Sequence, residues 1–408
     1  MFLIGGKTTT MRQINCSLFL YAFIITAIIL VPFTFFLSPF DSSIGQVLFS
    51  DIINWIWNSY SNQEIVTAIT SDSIGMYVLF IIIIFMSLIL SFIILKLTRV
   101  QFQTNFIKFV KAISTIYLSL ILFKYGCDKI FHAQFYTPEP NILYTNFGKL
   151  DQDILYWSVM GLSWKYSLFL GVTEVFIAIG LLFQKTRVLS LFISLFTFVH
   201  IVVINFSFDI SVKLFSSFLL IINVALVYPF LKRTILFMAG KGVNQLSVYK
   251  IMPQFFHPRT KVTLSISILF LIVSEGLASH ISTYNYTLTN NDQYKVQGAF
   301  SINEKHEILE RNELKRIYFH KDNYIIFHFK DDSQLDFYYE WDNETNSLIL
   351  FDYEKKAFRI ELIKHNSKEL ELNLKGLFGL RKLWLTRIDH KMLPALQEQF
   401  HWSIEDIQ

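Results

Sequence analysis

Ionisable side chains inside apolar segments are the residues of this sequence that could do chemistry. A charge inside a bilayer is costly, so such residues usually mark a functional site or a paired structural contact. Eight polar residues between positions 124 and 213 form the candidate set: Lys124, Asp128, Lys129, Glu174, His200, Asn205, Asp209 and Lys213. Carboxylic acids and imidazoles in this setting can hydrogen-bond a carbonyl or pass a proton. We interpret the set as a candidate intramembrane polar pocket.

The spacing of these residues suggests that they share one end of the helices. Lys124 and Asp128 are four residues apart and therefore lie on one helical face. At about 1.5 Å per residue, Glu174 lies about 15 Å deep and His200 about 9 Å deep. A carboxylate at the depth of Glu174 must be protonated or paired. We expect Lys124 or Lys213 to be its partner.

Each residue also has a purely structural interpretation. Glu174 could hydrogen-bond between helices, and His200 could be a satisfied interior histidine. Asn205, Asp209 and Lys213 could form a helix cap and a surface ion pair. Co-location, and no single residue, therefore carries the functional interpretation.

Established catalytic motifs do not accompany this cluster. The sequence contains no HExxH, Walker A, GxGxxG or GxSxG motif that would assign a catalytic group, a metal or a nucleotide. The two cysteines, Cys16 and Cys127, lie in different apolar segments, so neither a disulfide nor a cysteine metal site is expected.

The composition indicates a membrane protein with a different C-terminal domain. Hydrophobic residues make up 53% of the 408 residues and charged residues only 17%, against about 25% charged in soluble domains. Up to His280 there are 19 Lys and Arg against 11 Asp and Glu, and from Ile281 onward 17 against 21. Because the basic half is the hydrophobic half, its charge indicates membrane topology and not a nucleic-acid partner.

Seven apolar stretches are long enough to cross a bilayer: residues 14–37, 74–95, 106–125, 164–183, 188–206, 212–230 and 262–280. Basic residues concentrate in alternate loops, as cytoplasmic loops do. This alternation predicts a multi-pass protein of the bacterial cytoplasmic membrane, with the N-terminus inside and the C-terminus outside.

After residue 280, apolar and polar residues alternate, which is typical of half-buried strands. Seven or eight short strands separated by turn residues predict an antiparallel meander, either a small barrel or a sandwich. Residues 392–399 could form one closing helix. The predicted domains are residues 1–105 (two helices and an outer loop), 106–231 (a four-helix core), 232–280 (a loop and the seventh helix) and 281–408 (an extracytoplasmic β domain).

Several stretches resemble one bacterial branch of the DoxX-like membrane proteins: residues 124–131, 134–140, 157–161, 171–174 and 205–214, with 400–402 at the end of the tail. The resemblance covers about residues 111–230 and implies a compact four-helix membrane core. Some relatives are associated with quinone-linked oxidoreductase complexes, and others resemble accessory proteins for redox-enzyme maturation. This chain has additional helices and a β domain, and it lacks the cysteine and histidine pairs expected for intrinsic electron transfer.

Three functions remain open at this point. The first is a subunit or accessory of a membrane redox system, with a quinone or a lipid-like molecule bound near Glu174 and His200. The second is a non-catalytic membrane anchor that presents the β domain to envelope partners. The third is a small proton-coupled transporter, and it is disfavoured because no inverted repeat is visible. The sequence does not decide whether the protein is an enzyme.

Overall fold

The chain divides into two units, which we describe separately. The computed structural model describes residues 4–33, 43–61, 68–242, 248–251, 257–289, 296–303, 314–320, 323–342, 347–353, 356–365, 369–374 and 382–397. The helical unit contains residues 1–134 and 165–282, and the barrel unit contains residues 135–164 and 283–408. The barrel unit thus includes the long connection that precedes residue 165, together with the C-terminal part of the chain.

Ten α-helices are described: α1 Ile4–Leu30, α2 Ile44–Ser61, α3 Ile74–Leu97, α4 Val100–Ile130, α5 Pro140–Leu143, α6 Gln152–Leu162, α7 Trp164–Leu182, α8 Arg187–Ser207, α9 Lys213–Met238 and α10 Pro258–Thr289. Six of them, α3, α4 and α7 to α10, contain segments long and apolar enough to cross a membrane. The predicted first crossing is shorter than expected, since the apolar part of α1 is Asn15–Leu30. The crossing predicted for residues 14–37 therefore stays a prediction, whereas α10 contains the segment predicted as the seventh crossing.

Exposed apolar side chains distinguish the helical unit from a water-soluble bundle. Ile81, Phe85 and Phe92 of α3 are more than half exposed, whereas Leu118 of α4 and Phe218 of α9 are buried. A surface as apolar as this is stable against lipid chains and not against water. The apolar helices therefore indicate a lipid bilayer environment.

Helix α2 lies in the segment that the sequence analysis treated as an outer loop. It begins after Ser43, whose hydroxyl accepts a hydrogen bond from the backbone N–H of Gln46 while the Gln46 side chain accepts one from the backbone N–H of Ser43. This reciprocal capping box is a known signal for a helix start. Trp55 and Tyr60 on this helix are largely exposed, as in helices that lie at a membrane surface.

The C-terminal unit is a closed antiparallel barrel of eight strands in sequence order: β1 Gly298–Ile302, β2 Leu314–Phe319, β3 Tyr324–Phe329, β4 Gln334–Asp342, β5 Ser347–Phe351, β6 Ala357–His365, β7 Glu369–Asn373 and β8 Lys382–Ile388. β1 pairs with β8 and closes the barrel. The predicted antiparallel meander is confirmed, and the alternative between barrel and sandwich is decided for the barrel.

Side chains fill the inside of the barrel. Ile317, Phe327, Leu348 and Ile360 are fully buried in its core. Strand β3 departs from simple alternation because its second face is also buried, with His328 fully enclosed. A strand buried on both faces must be covered from outside the barrel.

The cover comes from the connection between α4 and α7. Tyr144 stacks on Tyr318 of β2 with ring centroids 6.2 Å apart, and the guanidinium of Arg316 lies 4.4 Å from the centre of the Tyr144 ring. Asn146 donates a hydrogen bond to the Asp332 carboxylate. The barrel unit is thus built from two distant parts of the sequence.

The predicted closing helix at residues 392–399 is wrong in the part that the structure describes. Two 3₁₀ turns, His390–Met392 and Pro394–Leu396, take its place. Pro394 lacks a backbone N–H and restricts the residue before it, which disfavours an α-helix here. Residues 398–402, which include the tail resemblance, lie outside the described residues.

Candidate functional site

Two glycines allow α4 and α7 to approach each other closely. A Cβ added to Gly126 would lie 2.9 Å from the carbonyl oxygen of Gly171, and one added to Gly171 would lie 2.6 Å from that of Gly126. The hydroxyl of Ser119 donates a hydrogen bond of 2.7 Å to the carbonyl of Ala178 further along the same contact. Small residues at a helix contact let polar groups reach across it.

The close approach of α4 and α7 places Lys129 against Glu174. The Lys129 ammonium donates a hydrogen bond of 2.8 Å to Oε2 of Glu174, and the two residues are 6% and 4% exposed. Ser167 also donates a hydrogen bond of 3.0 Å to the backbone carbonyl of Lys129. The expectation that Lys124 or Lys213 pairs with Glu174 is therefore wrong, and Lys129 is the partner.

Lys124 lies instead toward α10. Its Nζ is 4.0 Å from Oε1 of Glu275, which is only 1% exposed. The neighbouring Gly276 makes this contact possible, because a Cβ there would lie 2.6 Å from the Phe123 ring. Glu275 does not belong to the eight residues predicted from the sequence. The charge inside an apolar helix was the available signal, but its partner is about 150 residues away in sequence.

Asp128 meets His280, a second residue that the sequence analysis did not include. The His280 Nε2 lies 3.1 Å from Oδ1 of Asp128, in a geometry that is not a hydrogen bond, so this buried nitrogen has no hydrogen-bond partner among the described residues. The ring of Phe131 lies beside the imidazole with centroids 4.6 Å apart. The pair is partly accessible, and Phe131 is 52% exposed.

Lys213, Asp209 and Asp72 form a separate group at the start of α9. The carboxylate of Asp72 accepts hydrogen bonds from the backbone N–H groups of Lys213 and Leu214, at 2.8 and 3.0 Å. The Lys213 ammonium lies 2.7 Å from Oδ1 of the exposed Asp209 and 3.8 Å from Oδ2 of Asp72. This arrangement is a helix cap with an ion pair. The expected ion pair of Asp209 with Lys213 is present, but the cap comes from Asp72 and not from Asn205.

The structure does not join His200 and Asn205 to the paired residues of α4. His200 is exposed on α8. Asn205 is buried, and its Nδ2 has no hydrogen-bond partner among the described residues. The candidate set thus separates into a group on α4, α7 and α10, the cap of α9 and two residues near the end of α8.

The group on α4 is the candidate functional site, and we call its six members the paired cluster: Lys124, Asp128, Lys129, Glu174, Glu275 and His280. It combines two cations, three carboxylates and one imidazole near one end of α4. Its most accessible member pair is Asp128 and His280, which can exchange a proton with a bound molecule. No group of three or more His, Cys, Asp or Glu residues suited to a metal occurs in the described part of the chain.

Comparison with known proteins identifies kinship but no activity. No protein-family model matches the chain, and no solved structure matches it. The "Uncharacterized protein YwoB" of Bacillus subtilis (strain 168) is 32% identical over 121 residues, which are 30% of this chain and 77% of the relative. The chain therefore belongs to the same family as the YwoB protein of Bacillus subtilis (strain 168).

Proposed function

We propose that this protein is a DoxX-like subunit or accessory of a membrane redox system, and that Asp128 and His280 bind the polar headgroup of a quinone. The observation that carries this proposal is the His280 Nε2, a buried nitrogen without a hydrogen bond beside an exposed aromatic ring. The second element is its position, since α4 and α10 both end a membrane-length segment close to these residues.

The residues present fit a quinone headgroup in three respects. A quinone carbonyl accepts a hydrogen bond, and the His280 imidazole can donate one. A flat ring can stack on Phe131, which is more than half exposed. Asp128 lies 3.1 Å from the imidazole and can take up its proton or hold it in place. A quinone would supply the electron-carrying group, and the chain would supply the donor and the proton acceptor.

The two inner ion pairs position this site. Lys129 and Glu174 join α4 to α7, and Lys124 and Glu275 join α4 to α10. The Lys124–Glu275 pair holds the helix that carries Asp128 against the helix that carries His280, and the Lys129–Glu174 pair fixes the first of these helices to α7. Because both ion pairs are largely buried, we assign them a positioning role and no direct contact with the quinone.

The same proposal includes the location in the bacterial cytoplasmic membrane, with the barrel unit on the outer side. It is supported by the distribution of charge in the sequence. The segment 38–73 contains four acids and no basic residue, whereas the segment 231–261 contains six basic residues and no acid. Basic residues are retained on the cytoplasmic side of such proteins.

Titration of the purified full chain with a short-chain, water-soluble quinone analogue tests the proposal. Binding is followed by quenching of tryptophan fluorescence in mild detergent. We expect His280→Ala to weaken binding roughly tenfold or more, because a hydrogen bond at a buried site is lost. His200→Ala is the matched control, since His200 is exposed on another helix. Equal affinity of wild type and His280→Ala would exclude quinone binding at this pair.

A membrane anchor that presents the barrel to envelope proteins is the second candidate. The barrel interior is filled by side chains, which favours recognition at its outer surface over ligand binding inside. Photo-crosslinking of the full chain in cells from position 353, where the Tyr353 side chain is 82% exposed, tests this role. Capture of one protein from that position, together with normal function of the His280→Ala variant, would favour the anchor over the quinone site.

A further inference from the structure

A cavity of about 470 Å³ lies in the helical unit at the turn between α7 and α8. Its walls come from α4, the α7–α8 turn, residues 250–251 and the first turns of α10. The cavity lies at the C-terminal end of α7, near Leu182. Asp128, Glu174 and His280 do not line it. It is therefore a different site from the paired cluster.

Arg187 is the most deeply buried charged residue in the cavity wall, at 2% exposure. Its guanidinium donates hydrogen bonds to the carbonyls of Leu181 and Leu182, at 2.8 and 3.0 Å, and to the carbonyl of Tyr249. These carbonyls satisfy three of the five N–H donors of an arginine. They carry no net charge, so the positive charge of Arg187 has no carboxylate in ion-pair contact among the described residues.

Two further cations, Lys250 and Lys261, line the same cavity, and no acidic residue does. Residues 1–40, 73–127, 175–208 and 210–274 contain no Asp or Glu. All the described segments around the cavity are therefore without a carboxylate, so an anionic ligand would meet no negative side chain there.

Apart from Gln184 and Ser265, the remaining wall is apolar, and it reaches the exposed side of α10. Leu182 of α7 contributes to it, and Ile266 and Leu269 of α10 are both lining residues and exposed. A free phosphate ion would gain nothing from these apolar side chains. A molecule with one anionic group and long apolar chains matches both walls at once.

We infer that this cavity binds an anionic phospholipid, with its phosphate near Arg187, Lys250 and Lys261 and an acyl chain along Ile266 and Leu269. Basic pockets between membrane helices are known to bind lipid headgroups of this charge. The lipid would supply the negative charge that the surrounding segments lack. It would also tie α10 to the α7–α8 turn.

Thermal unfolding of the full chain in mild detergent, with added lipid, tests the inference. Phosphatidylglycerol should raise the Tm in a saturable manner, whereas phosphatidylcholine and inorganic phosphate should not. The double variant Lys250→Gln/Lys261→Gln should weaken the apparent phosphatidylglycerol affinity by roughly 25-fold, because each basic residue contributes a factor of about five. Arg187 is left unchanged because it also holds the α7 carbonyls.

Two further variants separate a site from general attraction to negative charge. Lys232→Gln/Lys241→Gln removes the same charge from exposed positions that do not line the cavity, and its affinity should equal that of the wild type. Ser265→Phe puts a large side chain into the cavity without changing charge, and it should abolish the saturable Tm rise. Equal weakening in both double variants, or full binding by Ser265→Phe, would overturn the inference.

Discussion

The paired cluster and the His328 network of the barrel use the same residue types in different surroundings. In the barrel unit, the fully buried His328 lies 2.9 Å from the Tyr318 hydroxyl and 3.2 Å from Oδ1 of Asp332, and Lys315 also lies 3.2 Å from Oδ1 of Asp332. Both groups thus join Lys, His and carboxylate side chains. The paired cluster takes them from helices far apart in sequence, and the His328 network takes its Lys315, His328 and Asp332 from neighbouring strands and their turn.

The two groups differ in how far their carboxylates and ion-pair partners are exposed to water. Glu174 is enclosed between two membrane-length helices and has Lys129 as its ion-pair partner. Asp332 is at the edge of the barrel, where Lys149 and Lys315 are both partly exposed to water. An ion pair removed from water depends strongly on its partner, whereas a water-exposed pair contributes little. Burial, and not residue type, therefore decides how much each network contributes to the free energy of unfolding.

The largest effect is expected from breaking the Lys129–Glu174 pair. Glu174→Leu should lower the free energy of unfolding by about 3–5 kcal/mol, because the buried ammonium loses its partner. The double variant Lys129→Met/Glu174→Leu should recover most of that loss. The measurement is unfolding of the full chain in mixed detergent micelles. A double variant as unstable as Glu174→Leu would show that the pair is not coupled.

The water-exposed ion pair of Lys213 with Asp209 is the control for this experiment. Lys213→Met should cost about 1 kcal/mol or less, since Asp209 is 83% exposed and solvent screens the pair. The hydrogen bonds that the Asp72 carboxylate accepts from the backbone N–H groups of α9 do not depend on the Lys213 side chain.

A smaller effect is expected from widening the contact between α4 and α7. Gly126→Ala should destabilise the helical unit by about 1–3 kcal/mol, because the added Cβ meets the backbone of Gly171 at 2.9 Å. Gly242→Ala is the control, since nothing lies within 4 Å of the Cβ there. If the two variants unfold at the same temperature, the close approach of the helices is not what positions Lys129.

The smallest effect concerns pH and the barrel. Burial lowers the pKa of His328 below its ordinary value of 6.5, so the unfolded chain binds this proton at a higher pH than the folded chain does. Stability should therefore fall as the pH drops below about 6.5 toward the lowered pKa. Hydrogen exchange of β3 peptides in the full chain measures it, and His328→Gln should reduce the slope.

Two other groups in the barrel unit bear on that pH profile. Burial also lowers the pKa of His390, which leaves a residual slope in the His328→Gln variant. The hydrogen bond with Lys315 lowers the pKa of Asp332 below 3.8, so its contribution is lost only in more acidic solution. An unchanged slope between pH 6.5 and 5 in His328→Gln would show that His328 is not the group responsible.

Local pattern was sufficient for most of the strands. The alternation in the segments around Tyr324 and Glu369 predicted β3 and β7 because a half-buried strand has a period of two residues. β1, Gly298–Ile302, lacks this alternation, because its two buried residues, Ala299 and Phe300, are adjacent. Helix α2 had a readable start at Ser43 and Gln46, but a short amphipathic helix between two crossings is easily taken for a loop.

The candidate site was predictable only in part. Lys124, Asp128, Lys129 and Glu174 were identified because charges in apolar segments are rare. Glu275 and His280 were not, because their partners on α4 are about 150 residues away and no local rule relates the two helices. The stacking of Tyr144 on Tyr318 of β2 escaped prediction for the same reason.

The apolar helices, the strand pattern and the absence of acidic residues around the α7–α8 turn follow from residue order and composition alone. Only the tertiary structure decided which lysine meets which carboxylate, that the barrel closes through β1 and β8, and that Arg187 lines a cavity. The physical reason is that an ion pair, a barrel closure and a cavity are each formed by segments far apart in the chain. The ion pairs of α4 also depend on the close approach of Gly126, Gly171 and Gly276 to residues of other helices, which no single segment encodes.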